Sequence, residues 1–209
     1  MPEAEDISQN KGAEMDHACG IIIVAAGQGR RFTQAGGEGN KLLATFADRH
    51  GNVRPLFAHT LLAAQKSQLP LCVVTRPERS EIRHYCQQAA IPLVLVDNTR
   101  LGESIAAGVR RMCHWQGWIV QLADMPFVTE TLFQQVAERM VAEGIIRPVW
   151  RGRPGHPVGF GRDTFTALSA LTAEEGARGL LKEFPVTTFE VDDEAVVRDI
   201  DLPSHLAHE

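Results

Sequence analysis

A chain of 209 residues has room for one sizeable α/β domain and little more. Its formal net charge of −5 excludes a protein that grips a nucleic-acid backbone over a broad basic face, although a local group of arginines can still hold a small anion. No apolar run approaches the roughly 18 residues of a spanning helix, which excludes such a helix.

The first residues are polar and acid-rich, with no apolar core of a signal peptide. Residues 1–19 therefore read as a disordered or weakly ordered tail, and 20–209 as the folded domain. Cysteines occur at 19, 72, 86 and 113 with no CxxC pair. They are expected to be free thiols in a reducing cytoplasm, with Cys72 and Cys113 buried in apolar segments.

The β-branched run from Gly20 to Ala26 shows no polar alternation, as expected of a central parallel strand covered on both faces. It ends in Gly27-Gln28-Gly29-Arg30-Arg31 and a glycine-rich loop through Gly39. Pro55 opens a helix to about Lys66, and Leu71 to Val74 form the next strand. Thr75 and Glu78 have capping-box spacing for a helix to about Ala90. Pro92 to Val96 reads as a strand, and the spacing of Ile105, Val109 and Met112 predicts a helix to about Trp115. Trp118 to Leu122 is a fourth strand, with Thr129 capping the helix after it. Beyond Gly144, strands are expected at Ile145 to Trp150 and Pro157 to Phe160 around a turn at Arg151 to Gly155. Short helices follow near Asp163 to Leu171 and Gly176 to Glu183, then apolar stretches at Val186 to Val191 and Val196 to Asp201. Alternation of β and α with short connections implies a three-layer α/β fold, Rossmann-like, with a mostly parallel central sheet.

Three segments carry chemistry. The glycine-rich turn after the first strand exposes backbone amides, a ready seat for phosphate oxygens, with Arg31 and Lys41 as nearby cations. The turn lacks a Walker lysine, and Phe32 stands where a dinucleotide fingerprint has its third glycine. Asp124 lies just beyond an apolar strand, where open α/β sheets bind ligands, and can hold a hard cation such as magnesium or cap a turn. Asp199 and Asp201 sit two apart after an apolar stretch and so share a strand face; either can complete a metal site with Asp124 or remain a solvated strand end.

Together these segments resemble the GT-A-like nucleotidyltransferases. VAAGQGRRF with Lys41 downstream resembles their LAAGxGxRMG…K signature, and LGESIAAGV, LADMP, RPGHPVGF, GAR-GLL and DIDLP follow in order. The nearest match is the molybdenum cofactor cytidylyltransferase branch, related to the molybdopterin guanylyltransferases. The resemblance implies that Ala25, Ala26, Gly27, Gly29, Arg31 and Lys41 cradle a triphosphate, with Leu101, Gly102 and Ser104 completing a CTP site. It implies Asp124 and Asp201 as ligands of Mg2+, His156 beside the acceptor, and Arg31, Lys41 and Asp124 as the catalytic set. The implied acceptor is molybdopterin, and an implied further partner is a molybdoenzyme. Two other readings stand beside it: a GTP-using or sugar- or polyol-phosphate nucleotidyltransferase, and a non-catalytic cofactor carrier. The chain departs from the family pattern in carrying Thr33 where glycine is usual, a longer Arg-to-Lys interval, and Ser204-His205 where acidic residues are usual.

Overall fold

The computed structural model describes residues 19–48, 50–97, 100–172 and 176–206, and the expected N-terminal tail lies outside them apart from Cys19. The unalternating run forms β1 (Gly20–Val24), with all five residues buried. Successive side chains of a strand point to opposite faces. Ile21 and Ile23 therefore enter one core layer, and Ile22 and Val24 enter the other. Two covered faces leave no place for a polar position.

After β1 the chain makes a short helix α1 (Arg30–Gln34) and then a small antiparallel hairpin, β2 (Thr45–Ala47) with β3 (Val53–Pro55). The next elements follow the expected alternation: α2 (Leu56–Lys66), β4 (Leu71–Thr75), α3 (Ser80–Gln88), β5 (Leu93–Leu95), α4 (Leu101–Arg111), β6 (Gly117–Leu122) and α5 (Glu130–Glu138). The last third holds β7 (Ile145–Trp150), β8 (Arg153–Pro154), β9 (Val158–Gly161), α6 (Phe165–Ser169) and β10 (Val186–Glu190). Single 3-10 segments occupy Arg178–Lys182, Glu194–Val197 and Pro203–Leu206.

The main sheet runs in the order β10-β7-β9-β6-β1-β4-β5, with β8 paired to β7. β5, β4, β1 and β6 are mutually parallel, β9 is antiparallel to both β6 and β7, and β10 is parallel to β7. Helices cover both faces. Phe57 and Leu61 of α2, Ile82 of α3 and Phe133 of α5 pack under Ile21 and Ile23. Ile105 and Val109 of α4, Met112 just after it and Leu168 of α6 pack under Ile22 and Val24. Each such fully buried side chain contributes about 1.5–3 kcal/mol. The layers and the mostly parallel sheet are those the sequence pattern implies.

Several local expectations are corrected. α3 starts at Ser80 with Arg79 in the cap position, so Thr75 does not cap it; its hydroxyl instead donates to the Ala25 carbonyl at 3.2 Å. Thr129 precedes α5 but makes no side-chain capping bond. Among the described residues, Val196 to Asp201 holds no strand, and its start lies in a 3-10 turn. The helix expected at Gly176 to Glu183 is the 3-10 segment at Arg178–Lys182. Cys113 is exposed rather than buried, whereas Cys19, Cys72 and Cys86 are buried, and burial pushes the Cys72 thiol up to about 12.

Candidate active site

β1 has β4 on one side and β6 on the other, although β4 and β5 precede β6 in the chain. Strand order therefore reverses between β1 and β6, and the carboxyl ends of such a pair leave a crevice. The crevice is a cavity of about 220 Å³ lined by Ala25, Gly27, Gly29, Lys41, Leu101 and Asp124 among others. Its glycine loop is held from behind. The Ala25 amide donates to Val74, the Thr75 hydroxyl donates to the Ala25 carbonyl, and Arg79 Nη2 donates to the Gly27 carbonyl at 3.0 Å. Gly29 turns the chain into α1 at φ +64°, a left-handed conformation that a side chain would strain. Gly37 lies against the buried Phe32 ring, so the enlarged loop folds back on α1. Asn40 Oδ1 then accepts from the Leu42 amide at 3.2 Å and turns Lys41 inward.

At the mouth of this cavity Lys41 meets the acidic residues. Its Nζ lies 2.7 Å from Asp124 Oδ2 and 3.0 Å from Asp201 Oδ1, while Arg31 Nη1 lies 2.9 Å from Asp201 Oδ2. Burial of the Lys41 ammonium works to lower its pKa, but the charges and hydrogen bonds of Asp124 and Asp201 outweigh it and the net shift is upward. Burial likewise works to raise Asp201, yet Lys41 and Arg31 hold its carboxyl below the ordinary range. Asp199 goes the other way, raised by burial and then by the charges of Asp201 and Asp124. The three acids converge although they share no strand, because the Ile200 amide donates to the Asp124 carbonyl at 2.9 Å and the Ile200 side chain is fully buried.

Carboxylate oxygens of Asp124, Asp199 and Asp201 lie within 4.8 Å of one another. Lys41 occupies only one oxygen of Asp124; the other, Oδ1, is buried and has no hydrogen-bond partner. Leaving a buried charged oxygen unmatched costs several kcal/mol. A set of hard oxygens with one atom left over fits a divalent cation.

A second cavity of about 260 Å³ adjoins the first and shares Leu101 and Leu122 with it. His156 lines it, on a turn set against the C-terminal segment. The His156 amide donates to the Val196 carbonyl at 2.7 Å, and a side chain in place of Gly155 would collide with the Val196 backbone. The ring hydrogen-bonds the Val120 backbone, and its Nδ1 is buried without a partner. The residue shows some surface to the cavity, but protein packs densely around the ring. Burial first, then the Arg147 charge, lowers its pKa to about 4.

The structure thus brings Ala25, Gly27, Gly29, Lys41, Leu101 and Asp124 to one cavity, Arg31 and Asp201 to its acidic mouth, and His156 to the neighbouring cavity. Ala26 faces the opposite core layer, Gly102 is buried inside the first turn of α4, and the Ser104 hydroxyl donates to the Arg100 carbonyl of its own helix. Nothing in the local spacing of Arg79 and Arg147 distinguishes them from solvated arginines, and Arg178 stands in the GAR-GLL segment with no role implied for it.

Comparisons with known proteins fit this geometry. Residues 21–189 match the model of a family described as the MobA-like NTP transferase domain. A curated relative, the bifunctional enzyme IspD/IspF of Sinorhizobium medicae, is 40% identical over 72 residues; the match covers 34% of this chain and only 16% of that enzyme. Among solved structures, Rv0371c of Mycobacterium tuberculosis superposes with a TM-score of 0.76 at 21% identity, covering 90% of this chain and 95% of that one. The same mycobacterial protein has been solved as a manganese complex, with a TM-score of 0.68 at 21% identity, covering 84% and 88%. The 4-diphosphocytidyl-2C-methyl-D-erythritol synthase of Anaerococcus prevotii gives a TM-score of 0.67 at 13% identity, covering 91% and 93%.

Proposed function

The chain belongs to the MobA-like NTP transferase domain family, and on that premise we propose that this nucleotidyltransferase joins CMP from CTP onto molybdopterin carrying molybdenum. The observation that carries the reading is the pair of adjoining cavities: one holds the glycine loop, the other sets two arginines in a largely apolar wall, and they share Leu101 and Leu122. Nucleotide and acceptor can therefore meet where the cavities join, at Leu122 and two residues from Asp124.

In this reading an oxygen of the acceptor's phosphate attacks the α-phosphorus of CTP. The bond from that phosphorus to the bridging oxygen breaks, and pyrophosphate leaves with the electron pair. The attacking phosphate is already anionic near neutral pH, so no side chain has to remove a proton. Amides of Gly27 and Gly29 hold the triphosphate, Lys41 and Arg31 neutralise the charge that develops on it, and Leu101 and Ala25 form the cavity wall at the nucleoside end. Gly102 and Ser104 act by shaping the start of α4 rather than by reaching into the cavity. A Mg2+ ion, held by Asp124 and Asp201 with Asp199 beside them, would supply further positive charge against the phosphates. Alignment of two bound anions, otherwise mutually repulsive, supplies much of the rate.

CTP is favoured by the Ala25-Ala26-Gly27 sequence and by Leu101 to Ser104, the segments that resemble the cytidylyl branch. A second reading keeps CTP but places a polyol phosphate in the acceptor cavity. It is favoured by the 40% identity over 72 residues to a bifunctional IspD/IspF enzyme. Mass analysis of products formed from each NTP with molybdenum cofactor, or with methylerythritol phosphate, tests both readings. The expected product is the cytosine dinucleotide of the cofactor; equal or greater guanine product overturns the cytidylyl assignment.

A further inference from the structure

The second cavity carries two arginines that the transfer chemistry above does not use. Arg147 projects from β7 and Arg178 from the 3-10 segment at Arg178–Lys182, and both line this cavity. Among the described residues neither makes an ion pair. Arg147 spends Nη2 on the Gly155 carbonyl at 3.2 Å and leaves its Nε buried without a partner. Burial, then the nearby charge of Arg178, holds the Arg147 guanidinium below its ordinary range, so the two cations feel one another. Beside them, His156 engages the Val120 backbone through its ring and leaves Nδ1 buried and unpartnered. A neutral imidazole that donates through one nitrogen presents a lone pair at the other. Val158, Phe160, Ile105 and Leu181 make the remaining wall apolar.

The unmatched buried donor of Arg147 and the unmatched buried acceptor of His156 each carry a cost in the empty protein, and among the described residues neither arginine has an acidic partner. A ligand that removes all of these costs must be anionic at one end, carry an N–H or O–H donor, and have an apolar or aromatic body. We propose that this wall selects the acceptor: Arg147 and Arg178 hold an anionic, phosphate-type group, and His156 Nδ1 accepts a hydrogen bond from the acceptor's ring or side group. The inference rests on the reading of this cavity as the acceptor's. It also makes specific the part of His156, which the family resemblance sets beside the acceptor: its Nδ1 recognises a donor on the acceptor's body.

The test is calorimetric titration of the full chain with three probes, alongside CTP affinity in the same samples. The probes are 4-aminophenyl phosphate, phenyl phosphate without the N–H donor, and 4-aminobenzyl alcohol without the anion. In wild type the first should bind most tightly. Arg147→Met/Arg178→Met should weaken both phosphates by at least about tenfold while CTP affinity holds. His156→Leu should erase the advantage of 4-aminophenyl phosphate over phenyl phosphate, and His156→Asn, whose amide oxygen can take the place of Nδ1, should restore it. If the double variant fails to fold, Arg178→Met alone, at an exposed position, gives the same reading. Undiminished phosphate binding in the arginine variants with CTP affinity unchanged, or no probe binding in wild type, overturns the inference and leaves CTP-dependent transfer standing. Lost CTP affinity with probe binding intact gives this cavity to the nucleotide and overturns the proposed function with it.

Discussion

The two flanks of the main sheet divide the work in different ways. On one flank, β5, β4, β1 and β6 are parallel, joined through helices, and closed by long stretches of buried aliphatic residues. On the other, β9 runs against its neighbours, β10 is largely exposed, and the connections are 3-10 turns. The regular flank presents backbone: a glycine loop whose carbonyls are clamped by Thr75 and Arg79. The irregular flank presents side chains: His156 and Arg147 in one cavity, and Asp199 and Asp201 brought back to Asp124. A triphosphate is the same in every nucleotide, so rigid amides suit it; an acceptor differs from enzyme to enzyme, so side chains on short turns suit its recognition.

The sharpest way to break that division is at the residue where the flanks meet. Asp124→Asn should keep the fold, because the amide oxygen can still accept from Lys41, yet lower metal-dependent turnover on the order of a hundredfold or more. Chelation should abolish wild-type activity, and Mg2+ or Mn2+ should restore it; near-normal turnover in a folded Asp124→Asn protein returns this residue to a turn-capping role. Lys41→Met comes next. It leaves Asp124 and Asp201 without their shared cation, so it should lower both turnover and the melting temperature. Added Mg2+ should raise the melting temperature of the variant more than that of wild type, measured by calorimetry.

His156 supplies a pH test of the second cavity. Its pKa is held near 4 by burial and by Arg147 from β7, against a raising pull from Asp124, while Arg178 borders the same cavity. A histidine depressed on folding contributes stability that is complete above its unfolded pKa of about 6.5. That stability drains away as pH falls from there toward 4. The melting-temperature difference between wild type and His156→Asn should therefore be constant from pH 7 to 8 and shrink in favour of the variant below pH 6. A constant difference down to pH 4 contradicts the packing described for this ring. The smallest effect is expected from Arg79→Ala, which releases the Gly27 carbonyl and should raise the KM for CTP a few-fold with kcat nearly unchanged.

The contrast between flanks also explains what could be read in advance. β1, β4 and β6 were legible because burial on both faces leaves unbroken β-branched runs. The hairpin of β2 and β3 was not, since three-residue strands show no period. The spacing of Asp199 and Asp201 suggests a strand geometry they do not have; a buried Ile200 and one backbone hydrogen bond bring them to Asp124 instead. Arg147 and Arg178 lie 31 positions apart, and only the packing of β7 against β9 and the following turns brings them to one cavity. His156 was visible through the family pattern alone.

Direct transfer requires both ligands to occupy their neighbouring cavities at once. The most direct test is pyrophosphate release from CTP in the presence of Mg2+, followed with enzyme in stoichiometric amount, with and without the molybdenum cofactor. Direct attack predicts release only when the acceptor is present, at a rate that rises to saturation with it. A burst of pyrophosphate equal to the enzyme concentration without acceptor would mean that the chain itself takes up the nucleotidyl group, and would contradict the account.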